Sequence, residues 1–222
     1  LGRQVSRYVN ANGTYSMGAN FNFSKGKKKN GNDWRITTGA YAYYTKDITF
    51  TNGIPDRING WSVNPRLSFS YSYKELFDIA PSYRLSYRFS KYAVSSFGNT
   101  SYFTHYAMLN TTLYWPQNFI WGNDLSYTYN TNVAPGFQKG AFLWNISLSR
   151  QFFKNKQGEL KFSVYDLLDQ NISVNRQVTQ NYIQDTQTKI LRRYFMLSFT
   201  YNLYKFGQKP AKRKSNNGMF FF

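Results

Sequence analysis

A single histidine, His105, and no cysteine among 222 residues leave little room for bond-making chemistry. A thiolate nucleophile or thiolate metal site is excluded, and a histidine-centred triad or metal centre would have to be built on that one ring. Asp166 and Asp169 are spaced like cation ligands, but the glycine and closing glutamate of a calcium loop do not follow. They read instead as carboxylates that shape a loop exit. The run Lys25 to Lys29, KGKKK, has cations for phosphates and, just before it, Phe21 and Phe23 for stacking on bases. Those two rings fall in an apolar stripe, so they are not free to stack, and the run reads as a solvated turn. No catalytic, metal or cofactor-binding residue is expected, and no nucleic-acid partner.

The formal net charge is +18, from 28 Lys and Arg against 10 Asp and Glu. Such an excess on one surface would point to a polyanion. Much of it sits instead in two clusters, Lys25 to Lys29 and Lys205 to Lys214, the second in a basic tail over residues 205–222. Six other cations, Arg35, Arg66, Arg84, Arg88, Lys161 and Arg192, fall on the polar side of an alternating pattern.

That pattern is the main structural signal. From Thr14 to Ser24 the apolar residues Tyr15, Met17, Ala19, Phe21 and Phe23 alternate with polar or tiny ones, a period of two and hence a strand. The same alternation runs from Trp61 to Tyr73 and from Ile79 to Phe89. Weaker copies cover Trp34 to Tyr44, Phe103 to Trp115, Phe119 to Tyr129, Phe142 to Leu148, Leu160 to Val164 and Phe195 to Leu203. In two of these the facing is mixed, with Tyr102, Tyr106, Met108 and Tyr114 in one and Leu143 in the other on the polar side. The expectation is an all-β antiparallel meander of nine or ten strands of roughly ten residues, the length that crosses a bilayer at a tilt. Connections alternate in length. Lys25 to Asn32, Lys74 to Asp78, Pro116 to Asn118 and Lys154 to Glu159 are short, whereas Asp47 to Gly60, Lys91 to Thr100, Asn130 to Gly140 and Leu168 to Ile190 are longer. Short turns on one side and long loops on the other is the outer-membrane arrangement. It would leave the tail from Lys205 in the periplasm.

A mean hydropathy of −0.58 does not argue against this, because strands that alternate average out as hydrophilic. The 20 Tyr and 20 Phe are more telling. A soluble sandwich would enclose its apolar face between two sheets and fill it with mid-strand Val, Ile and Leu. Here Trp34, Trp61, Trp115 and Trp121 stand near strand ends, as the rings of an interfacial girdle do. The opposite face is rich in Ser, Thr, Asn and Gly. Side chains as small as Ser68, Ser70, Ser86, Ser147 and Ser149 would leave a narrow barrel hollow, which favours a wider wall around a plug or an aqueous lumen. Residues 1–204 are then one barrel segment, with further strands and a plug N-terminal to it. The opening Leu1 to Asn10 has no apolar core of the signal-peptide kind.

The C-terminal third carries a family resemblance. Leu160 to Gln170 reads LKFSVYDLLDQ, Asn171 to Thr188 reads NISVNRQVTQNYIQDTQT, and Arg192 to Gly207 reads RRYFMLSFTYNLYKFG. Together they resemble the end of the TonB-dependent receptor barrels of Bacteroidetes, the outer-membrane β-barrel family proteins, and the opening LGRQVSRYVNANGTYSMGANFNFS suits an internal strand of that group. The resemblance implies a receptor in the cell outer membrane that takes part in nutrient uptake, with TonB-type energy coupling and a plug. It also implies that the last strand, Tyr194 to Tyr204, is read by the barrel-assembly machinery, with Phe195, Leu197, Phe199, Tyr201 and Leu203 toward lipid. Two other readings follow from the residues alone: a complete small barrel with a structural or adhesive role, which requires closure within the chain, and a soluble basic β-protein that binds nucleic acid or glycan.

Overall fold

The computed structural model describes residues 7–8, 10–51, 53–93, 98–171, 173–178, 183–188 and 191–203. Eleven strands are present among them: β1 (Tyr15–Lys29), β2 (Asn32–Thr51), β3 (Ile54–Tyr73), β4 (Phe77–Tyr92), β5 (Thr100–Trp115), β6 (Phe119–Asn130), β7 (Gly140–Phe152), β8 (Gly158–Tyr165), β9 (Ser173–Val178), β10 (Ile183–Thr188) and β11 (Tyr194–Tyr201). Nine form one antiparallel meander in the order β1 to β8 and then β11, while β9 and β10 pair only with each other. Each long strand alternates as its sequence does, and each ladder keeps a constant register, so side chains on one face of a strand share that face along the whole sheet. Among the described residues β1 pairs only with β2 and β11 only with β8, leaving two open edges.

Three boundaries differ from the sequence reading. The Lys25 to Lys29 run lies in strand β1, and the turn after it is only Asn30 and Gly31, both at positive φ (52° and 78°). An Asn-Gly pair of that geometry is a type I′ turn, whose twist matches its flanking strands. The stretch Asp47 to Gly60 is the end of a long hairpin, with β2 and β3 pairing down to Thr51↔Ile54 around a second Asn-Gly pair. Within Leu168 to Ile190 lies the β9–β10 hairpin. The tail from residue 205, together with Tyr204, falls outside the described residues, and β11 ends at Tyr201, before Leu203.

The sheet is one layer thick. Val133, Ala134 and Val164 are the only buried hydrophobic residues among those described, whereas Phe21, Trp115 and Leu197 are 61%, 62% and 68% exposed. Among the described residues there is therefore no sandwich core, and the rings are not enclosed between two layers. Pro65 and Pro81 lie in β3 and β4, where the missing N–H interrupts pairing: the β3–β4 ladder skips both of their rows.

The β9–β10 hairpin is pinned by Arg176, which donates through Nε and Nη2 to the two carboxylate oxygens of Asp185 at 2.7 and 2.9 Å. The hydrogen bonds from Arg176 hold the Asp185 carboxyl below its ordinary range. A lowered carboxylate pKa means that the pair's contribution is complete above the ordinary Asp range and is lost as pH falls through the depressed value. Amide protection of residues 173–178 and 183–188 is accordingly expected to fall in acid, and Asp185→Asn to flatten that dependence.

Candidate membrane interface

Register extends the facing of β1 to every strand. The odd residues of β1 and β3 to β6 and the even residues of β2, β7 and β8 form one face, joined by the odd residues of β11. The mixed strands resolve accordingly. Phe103, Leu109, Leu113 and Trp115 stand on this ring face, while Tyr102, Tyr106, Met108, Tyr114 and Leu143 stand with the serines. His105 is a wall residue on the ring face, between Leu85 and Tyr129, with Nδ1 hydrogen-bonded to the Tyr83 hydroxyl.

Aromatic residues mark two lines across the ring face. Trp34, Tyr71, Phe77, Trp115, Phe119 and Phe152 lie toward the short turns, and Tyr44, Trp61, Tyr87, Phe103, Tyr129 and Phe142 toward the long loops. Along β2, β3, β4, β6 and β7 the two members are ten residues apart, and along β5 twelve. Neighbouring rings touch within a line: Tyr44 and Trp61 have centroids 4.3 Å apart, Tyr15 and Tyr44 5.8 Å, and Phe152 and Phe199 5.9 Å. Beside the lower line, Trp115, Phe119, Trp121, Ile146 and Leu148 line an open apolar hollow of about 610 Å³.

Both lines run obliquely to the ladder rows, and by the same amount. The row of Trp34 passes through Tyr71, Ile79, Thr111 and Asn123 to Ile146, six residues from Phe152. The row of Phe142 passes through Tyr127, Ala107, Tyr83 and Leu67 to Thr38, six residues from Tyr44. Each line thus shifts by six residues over five strand-to-strand steps, or about 1.2 per step. Lines that lie in parallel planes then imply a tilt whose tangent is about 1.2 × 3.3/4.8, an angle of about 40°. At that tilt ten residues rise about 25 Å.

Charge respects the same geometry. No carboxylate stands on the ring face of the nine-stranded sheet, and its cations are Lys25, Lys27, Lys29, Lys46, Arg57, Lys91 and Arg150. All seven lie near or beyond the aromatic lines. Carried one strand further, the lower line meets β1 between Lys27 and Lys25, so Lys27 and Lys29 stand outside it. Arg150 lies against the Phe119 ring, its guanidinium carbon 5.1 Å from the centroid.

The opposite face carries five of the six cations that the sequence places there: Arg35, Arg66, Arg84, Arg88 and Lys161. Arg66 and Arg84 are direct cross-strand partners, an unfavourable like-charge pairing. Their side chains lean apart. Arg66 reaches over Gly39, where a Cβ would lie 3.2 Å from its Nε, to donate to Asn22, and Arg84 stacks 5.1 Å from the Tyr106 centroid. Arg88 donates to the Tyr102 hydroxyl at 3.4 Å. Arg192 is a correction to the sequence reading. It precedes β11, in the loop, where its guanidinium pairs with Asp169 at 3.1 Å.

No family model, curated protein or solved structure matches this chain. Its reading therefore rests on its own residues. The sequence reading placed four of the five tryptophans and missed Trp144, which stands on the ring face two residues inside Phe142, with Nε1 bonded to Asn123. It also missed Lys46, Arg57 and Lys91, although the same alternation, carried past the strand ends, would have placed them on the ring face.

Proposed function

We propose that this chain is part of the wall of an outer-membrane β-barrel, belonging to a TonB-dependent receptor that takes part in active nutrient uptake. The observation that carries the membrane reading is the pair of aromatic lines. A tilt of about 40° falls within the 35–45° of transmembrane barrels, and a rise of about 25 Å equals the height of their apolar band. The first quantity comes from register between strands, and the second combines that tilt with the spacing of the rings along each strand. Ring exposure and the confinement of ring-face cations to the band's margins support the same reading.

Wall of a large receptor is favoured over a complete small barrel by two features. The Tyr15 and Phe199 strands do not pair, and the polar face is lined with small residues. The receptor class itself rests on the resemblance of the C-terminal third, and so do the plug, the energy coupling and the assembly machinery as partners. The lumen-side arginines suit either acidic groups of a plug or an anionic solute.

Depth-dependent quenching tests the membrane reading. In bilayers of lipids brominated near the headgroup or deep in the chain, single-tryptophan variants retaining Trp34, Trp61, Trp115 or Trp121 are expected to be quenched by the shallow label. A variant whose one tryptophan is introduced by Leu125→Trp, six residues from one aromatic line and four from the other, is expected to respond to the deep one. Equal response of all five to aqueous iodide overturns it. For the receptor class, uptake in cells carrying the intact gene is expected to stop when the proton-motive force is collapsed; undiminished flux points to a passive channel.

A further inference from the structure

We infer that Lys46, Arg57 and Lys91 form a site for the phosphorylated headgroup of an outer-leaflet lipid, a reading that rests on the membrane assignment above. The three stand on the ring face of adjacent strands β2, β3 and β4, just past the long-loop aromatic line. Lys46 is two residues beyond Tyr44, Arg57 four beyond Trp61, and Lys91 four beyond Tyr87. At about 2.5 Å of height per tilted residue they lie roughly 5 to 10 Å above the rings, the depth of headgroups. Laterally the cluster spans two inter-strand spacings, about 10 Å.

Lys46 and Lys91 both register with Asn59, whose side-chain carbonyl accepts from the Tyr44 hydroxyl at 3.0 Å. Lys46 also lies 5.8 Å from the Tyr15 centroid. No carboxylate among the described residues pairs with any of the three, although Asp47 and Asp56 are sequence neighbours of Lys46 and Arg57. Alternation explains why: those two acids point to the opposite face. Three cations with flexible apolar stems, anchored at the edge of a hydrocarbon-facing surface and left without a counter-charge among the described residues, are complementary to phosphate borne on a lipid.

The test is native mass spectrometry of the full chain released from detergent micelles, with added diphosphoryl lipid A, its dephosphorylated form, or inorganic phosphate. Retention of the diphosphoryl lipid is expected, weaker by about fivefold for each charge removed in Lys46→Gln, Arg57→Gln and Lys91→Gln. Lys161→Gln, on the opposite face, is expected to leave it unchanged. Equal retention by wild type and the triple variant overturns the site. So does equal retention of the dephosphorylated lipid, or displacement by millimolar inorganic phosphate, which would mark a general anion patch. Should the triple variant fail to fold, the single variants report the same ratio. Failure of the wild-type chain to enter bilayers would overturn the membrane reading instead, and is scored separately by vesicle flotation.

Discussion

Leu125→Arg is expected to destabilise the protein in bilayers by about 2–4 kcal/mol, while Ser126→Arg, one residue away, costs less than about 1 kcal/mol. Leu125 lies between Phe119 and Tyr129 on the ring face, beside Leu109 and Trp144, and the hydrocarbon that the proposed membrane placement puts there cannot solvate a guanidinium. Six residues from one aromatic line and four from the other, it is also too deep to reach either interface easily. Ser126 belongs to the polar face, where Asp124 is two residues away on the same side and offers a counter-charge. Guanidinium titration of each variant refolded in phosphatidylcholine vesicles measures the difference. Comparable losses for the two would mean that both faces see the same medium, and the membrane reading would be untenable.

Asp166→Ala is expected to cost about 3 kcal/mol, and this result does not depend on the membrane. Asp166 is 2% exposed and accepts from the backbone N–H groups of Gln170 and Asn171, each at 3.0 Å. Its own N–H donates to Asn145 Oδ1 at 2.9 Å. Removing the carboxylate leaves two donors without their acceptor, each worth about 1–3 kcal/mol when buried. Asp166→Asn keeps one acceptor oxygen and is expected to lose about half as much. Hydrogen exchange should show the loss at residues 166–171 first, with β2 to β5 unaffected. Uniform loss across the sheet would assign Asp166 a role in strand pairing rather than in loop closure.

The strands were legible because alternation is a one-dimensional signal. Tyr15 to Phe23 and Trp61 to Tyr73 announce both the strand and its facing, and nine such stretches correspond to the nine strands of the sheet. Facing in β5 was not legible, because Tyr106 and Met108 are apolar yet share the serine side, where large side chains can lie flat across small neighbours. Only the ladder to β4 and β6 decides it. Turn limits were missed where hydrophilic residues continue a strand past the apolar stripe. Lys27 and Lys29 look like loop residues although their backbone is paired to Trp34 and Asn32. The Asn-Gly pairs at residues 30–31 and 52–53 carried the information that the composition of the flanks concealed. Arg192 falls outside the alternation because Arg193 already lies in the bend before β11, so parity has no strand to act on. The oblique course of the aromatic lines, finally, needs register, which no single strand contains.

Every ladder of the sheet joins consecutive strands except β8 to β11, which closes across the β9–β10 hairpin. Loop-closure entropy grows only with the logarithm of length, so doubling that insertion would cost about 0.6 kcal/mol. Selection is accordingly free to lengthen, shorten or exchange the excursion between Asp166 and Arg193 while the final strand keeps its seat. Grafting a foreign epitope there, rather than at the two-residue turns, is the substitution this architecture tolerates best.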